Sequence, residues 1–149
     1  MMKYTEAKQG RIFLLRFEQD DYLPDVVESF AADNNINAAA IWFLGGTDDG
    51  SHIVVGPEDG KAMPPIPMKI PLAGVSEAVG FGTVFLNEAD QHRLHMHCSF
   101  GRGEKALTGC TRAGVTVWQI GEAVVMELLD CHAGRKINSS NGFELLEID

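Results

Sequence analysis

The sequence predicts a β-rich α+β fold. Seven short runs are rich in β-branched, aromatic and aliphatic residues, and turn residues bound most of them. Only one stretch repeats its apolar residues at helical spacing. Five of the six prolines fall between residues 57 and 71, where a helix could not run. A chain of 149 residues fits one domain, spanning 1–149, and can bury roughly 70% of its unfolded surface without a metal or disulfide staple.

The elements follow in order. Arg11 to Phe17 (Arg-Ile-Phe-Leu-Leu-Arg-Phe) reads as a strand buried on much of both faces, with Gly10 before it and acidic residues after it. Leu23, Val26, Val27, Phe30 and Ala31 then form a stripe at i, i+3, i+4, i+7 and i+8. Asp20 or Asp21 is expected to cap that helix, Pro24 fits only its first turn, and Asn34 and Asn35 stop it. Ala38 to Leu44 is a second buried run, its shortness and the Gly45-Gly46 stop favouring a strand. Ser51 to Val55 is a third. The turn Thr47-Asp48-Asp49-Gly50 between them suggests a hairpin.

Residues 57–71 read as a long loop or an edge segment, because proline lacks the ladder donor. Gly80 to Leu86 and Leu94 to Phe100 form a pair of strands around the turn Asn87 to Gln91. Glu122 to Leu129 and Phe143 to Ile148 are closing strands. Trp42 and Trp118 lie in apolar runs and are expected in the core.

Composition narrows function. Lys and Arg number 12 against 21 Asp and Glu, so the net charge is 12 − 21 = −9. A surface that grips nucleic acid carries a basic footprint, and this one repels phosphate. No apolar run reaches the length of a membrane span, and the start has no apolar signal core. Cys98, Cys110 and Cys131 are too few and too irregular for a disulfide framework. Reduced thiols in a cytoplasm are expected.

The chemistry concentrates at His92-Arg93-Leu94-His95-Met96-His97-Cys98. Alternate side chains of a strand share a face, so His95 and His97 point the same way and can reach one ion. Cys110 is a plausible third ligand, giving a His2Cys zinc set with an open fourth position. His92 or His132 could close it. The bland alternative is a pair of half-buried, hydrogen-bonded rings. Cys98 faces away from both histidines on a regular strand and reads as core, as does Cys131. Gly80-Phe81-Gly82 lacks the third glycine of a dinucleotide motif and reads as a turn or strand crowding. The acidic pairs Asp48-Asp49 and Glu58-Asp59 fit no calcium loop. No nucleophile elbow or phosphate loop is present.

In its ordered pieces the sequence resembles the plants-and-prokaryotes-conserved (PPC) domain. Gly10-Arg11-Ile12-Phe13-Leu14-Leu15-Arg16 matches the opening strand. Asp21-Tyr22-Leu23 through Phe30-Ala31 matches the acidic-led helix, and Ile36-Asn37-Ala38-Ala39 with Gly45-Gly46 matches the next segment. His95-Met96-His97, the loop Gly101-Arg102-Gly103 and Thr108-Gly109-Cys110 stand where the family has His-Leu-His, a glycine loop and Gly-Gly-His. Glu122-Ala123-Val124-Val125 and Arg135 match the later pieces.

The resemblance implies a mixed, largely antiparallel sheet with one main helix, in a fold like that of acetolactate decarboxylase. It implies a homotrimer, with zinc held at His95, His97 and Cys110, the cysteine replacing the family's third histidine. Such a fold also admits a zinc-dependent lyase or hydrolase for a small carbonyl or carboxylate compound, with Glu122 as acid/base and Arg135 as anion clamp. Family members are often called DNA-binding through the plant proteins that join this domain to AT-hooks. This chain has no such hook, and no direct nucleic-acid or membrane partner is expected.

Overall fold

The structure, a computed structural model, describes residues 1–148. Its elements are β1 (Lys8–Glu18), β2 (Tyr22–Leu23), α1 (Asp25–Asp33), β3 (Ala38–Thr47), β4 (His52–Pro57), β5 (Pro67–Pro71), β6 (Ser76–Leu86), β7 (His92–Arg102) and β8 (Lys105–Cys110). A 3-10 turn (Thr111–Ala113), β9 (Val115–Leu129), β10 (Ala133–Ile137) and β11 (Glu144–Ile148) complete it. One nine-stranded sheet runs β1-β9-β3-β6-β7-β8-β4-β5, with β2 also on β9, and β10-β11 is a separate hairpin. All named strand pairs are antiparallel; the single bridge Asn87–Arg135, outside these ladders, is parallel. No described helix is long and apolar enough to cross a membrane.

The core lies on one face of the sheet. Phe17, Ile41, Phe43, Met96, Cys98 and Val125 point into it and α1 covers it with Val27 and Ala31. The helical stripe thus buries as expected, with Val26 and Phe30 packed at its margin. Its N-terminus differs. No side chain caps it; Asp21 accepts the Glu18 amide instead, at 2.9 Å. Asp25 and Glu28 in the first turn complement the helix dipole.

The turn at residues 47–50 does not make a hairpin. β3 pairs with β6 and β9, while β4 pairs with β5 and β8. β5, within the proline-rich segment, is the edge strand that its prolines permit. The paired strands around Asn87–Gln91 form as β6 and β7. Gly80 and Gly82 on β6 are strand crowding rather than a turn: a Cβ on Gly82 would stand 2.6 Å from the Met96 Cβ.

β1 and β3 are not buried on both faces. Leu14 is 82% exposed and Trp42 is 45% exposed. Trp118 is exposed as well, so neither tryptophan belongs to the core. Their apolar neighbours cover only the inner face of the sheet.

A half-buried fork, with Glu127 buried and Arg11 reaching it from the surface, ties β1 to β9. Arg11 Nε and Nη2 donate to Glu127 at 2.8 and 2.7 Å, and the Arg11 amide donates at 3.0 Å. Bonds from the Arg11 side chain and amide hold the Glu127 carboxyl down at about 2, against an opposing push from burial. Its lowered pKa means that the stabilisation is complete above the ordinary value of 4.5 and is lost as pH falls toward 2. The Glu127→Gln protein is expected to melt several degrees lower at neutral pH, with the gap closing between about pH 4.5 and 2. A gap independent of pH in thermal melts would contradict this role.

Candidate metal centre

His95 and His97 lie on β7, and β6 and β8 flank that strand. Across one register of the sheet, Leu14 on β1 is opposite Val124 on β9 and Val124 is opposite Trp42 on β3. Phe81 on β6, His97 on β7 and Cys110 on β8 continue the same row. Opposed residues of an antiparallel ladder share a face. The row therefore places both histidines and Cys110 on the face away from the core.

The donor atoms of His95, His97 and Cys110 all lie within 4.8 Å of one another. The two Nε2 atoms are 3.1 Å apart, with the rings at 76°. Nitrogens bound tetrahedrally at 2.0–2.1 Å to one zinc stand about 3.3 Å apart, so the histidine pair fits an ion with little movement. Without an ion the same contact is a hydrogen bond in which one ring is the donor.

Burial, then the charges of Arg135, His97 and Arg112, hold the His95 pKa down at about 4. Its ring is therefore neutral, as a metal ligand must be, across the physiological range. Cys110 is buried while both histidines are exposed, so the trio is open on one side. Soft sulfur with two imidazoles suits zinc or copper better than a hard cation.

The remaining sequence-predicted residues separate. Cys98 faces the core as expected, and burial pushes its thiol up to about 12. Cys131 is only half-buried. His92 and His132 do not join the trio: His92 has the strand parity of Leu94 and Met96, which point inward, and His132 lines another hollow beyond β1. Glu122 is exposed on the same face as the trio, but on β9, three strands from β7. At strand spacing that is about 14 Å. It stands opposite Arg16 and Leu44 and lines a separate apolar hollow.

Arg135 does approach the trio. Its Nη2 donates to the Thr83 hydroxyl at 2.8 Å, and Thr83 is opposite His95. Arg112 borders the same cavity as Arg135 and His95. Nothing in the local pattern around residue 112 announced it, because the cavity is assembled by distant segments.

Comparison with known proteins agrees with this architecture. The chain is similar to the metal-containing protein AF0104 from Archaeoglobus fulgidus, at 23% identity and a TM-score of 0.81, covering 98% of this chain and 99% of that one. It is similar to a plant- and prokaryote-conserved (PPC) protein from Pyrococcus horikoshii, at 24% identity and 0.80, covering 97% and 99%. A protein from Ralstonia eutropha JMP134 whose name proposes DNA binding matches at 17% identity and 0.72, covering 91% and 90%. At these identities the likeness shows the fold alone. A search among curated proteins finds no match. Residues 4–129 match the Plants and Prokaryotes Conserved (PCC) domain, and the chain belongs to that family.

Proposed function

We propose that this chain is a homotrimeric PCC-domain protein that holds a zinc-type ion at His95, His97 and Cys110. The convergence of three soft donors within 4.8 Å carries the reading. The similar archaeal protein described as metal-containing supports it. Loading the chelator-treated protein with cobalt(II) tests it. A thiolate-to-cobalt charge-transfer band that Cys110→Ser abolishes is expected; a spectrum unchanged by that substitution would contradict the ligand set.

Self-assembly is supported by the face that carries the trio. Leu14, Trp42, Leu44, Val79 and Phe81 are large, apolar and exposed on it. Trp42 and Phe81 pack at 5.4 Å between centroids. A contiguous apolar face of this kind marks an interaction surface. The stoichiometry of three rests on the family resemblance. An assembly through this face would bring the metal centre close to the subunit boundary, since Phe81 is the direct neighbour of His97.

Direct DNA binding is not part of the proposal. The charge of −9 opposes it. A gel shift with mixed-sequence duplex at physiological salt is expected to show no complex, and a salt-sensitive complex at micromolar protein would overturn that view.

A second reading has one observation in its favour: Arg135 and His95 border one cavity. In an enzyme of the acetolactate decarboxylase type, a zinc-class ion supplies Lewis acidity toward a carbonyl or a bound water. The protein's own contribution would be an arginine that orients an anionic group. That reading rests on Arg135 rather than Glu122, which the fold sets apart from the trio.

A further inference from the structure

The hairpin β10-β11 carries Arg135, which reaches β6 at Thr83 and stacks over Phe85 at 5.5 Å. The residue is only 5% exposed. Its Nε–H is buried without an acceptor, and no carboxylate lies within ion-pair distance among the described residues. A buried guanidinium in that condition is costly unless a partner completes it. Arginine presents a planar fork of donors matched to a carboxylate.

The cavity beside it is large enough for a small organic molecule, at about 590 Å³. Arg112 also borders it, held over the Phe143 ring at 5.5 Å and likewise in no ion pair among the described residues. Carboxylates line the cavity too. Asp25, Glu28 and Glu144 stand against Arg93, Arg112 and Arg135, so the formal charges of the lining cancel. Glu28 and Glu144 lie 3.3 and 3.9 Å from Arg93, and Glu144 also attracts Arg135 from beyond ion-pair distance, so the fork of Arg135 keeps donors without a direct carboxylate partner. Leu94, Leu145 and Leu146 supply apolar wall.

From this arrangement we infer that the cavity is a subsite for a small organic carboxylate with an apolar body, its carboxylate on Arg135 and Arg112 and its other end toward His95. This deepens the metal-centre reading, because His95 belongs to both sites. The subsite itself needs no ion. It narrows the substrate of the enzymatic reading from a small carbonyl or carboxylate compound to a carboxylate with an apolar body, and adds Arg112 to its recognition.

Titration calorimetry on the full chain tests it, with 4-methylpentanoate and the uncharged 4-methylpentanamide as probes. Each is measured on chelator-treated protein and on zinc-loaded protein, with zinc content determined on the same samples. The carboxylate is expected to saturate in both, and the amide in neither. Arg135→Gln is expected to weaken carboxylate binding about tenfold or more, the loss of a charge-assisted bond, and Arg112→Gln several-fold. Far-UV circular dichroism checks that each variant is folded; Arg112 is exposed, so its variant and the amide decide the matter even if Arg135→Gln does not fold.

Equal binding of the amide, unchanged affinity in the folded variants, or no saturable heat with the carboxylate would overturn the inference. Zinc retained with no carboxylate binding refutes the subsite and leaves the metal centre. Carboxylate binding by protein that cannot hold zinc supports the subsite and refutes the metal centre.

Discussion

Replacing His97 with alanine is expected to weaken zinc binding at least about a hundredfold. Loss of a group that merely supports a metal ligand already costs 10–100-fold, and this substitution removes a ligand itself. His97 is central to the set: its Nε2 stands 3.1 Å from that of His95, and its strand partner is Cys110. No neighbouring residue can replace it, since Met96 and Cys98 point into the core. Competition with a chromogenic chelator measures the change, and Cys98→Ser serves as the comparison expected to keep wild-type affinity. A His97→Ala protein that competes as well as wild type would refute the assignment.

The second large effect concerns assembly. If the chain assembles as the proposed trimer, the paired change Trp42→Asp and Phe81→Asp is expected to turn it into monomers in sedimentation experiments. Both side chains are about half exposed in the isolated chain, so aspartate there meets water and costs the monomer little. In an assembly the same carboxylates would be buried without partners, which is strongly unfavourable. Thermal stability should fall with them, because association stabilises the folded chain by mass action. A wild-type monomer, or a variant that remains trimeric, would contradict the proposed interface.

Local patterns made much of this fold readable. The helix showed itself through one apolar stripe, and β6-β7 through two apolar runs around a turn that could form within the chain. The 47–50 turn misled because it is equally local. Whether flanking strands pair depends on which edges remain open, and β3 has both edges taken by β6 and the distant β9. β8 escaped notice because Lys105-Ala106-Leu107-Thr108-Gly109-Cys110 is mostly exposed and has no strong apolar alternation.

Apolar runs also say nothing about what covers them. Leu14, Trp42 and Leu44 read as core in sequence and prove to be surface, a difference that self-assembly would explain. At the candidate site, the two-residue spacing of His95 and His97 was sufficient to place both on one face. Cys110 was a candidate third ligand in sequence, but only the β7-β8 register, which no local pattern gives, brings it opposite His97. Arg135 was foreseen in the same way, but its unpaired burial beside His95 is a property of the folded hairpin. Glu122 looked equally suitable in sequence and is set three strands away.

The most direct measurement of the central claim is metal per chain by elemental mass spectrometry, on untagged protein purified without chelator or added metal, beside Cys110→Ala and His97→Ala. Near-stoichiometric zinc in the wild type, lost in both variants, is the predicted result. Wild-type protein without metal even after a zinc soak, or equal metal in all three proteins, would contradict it.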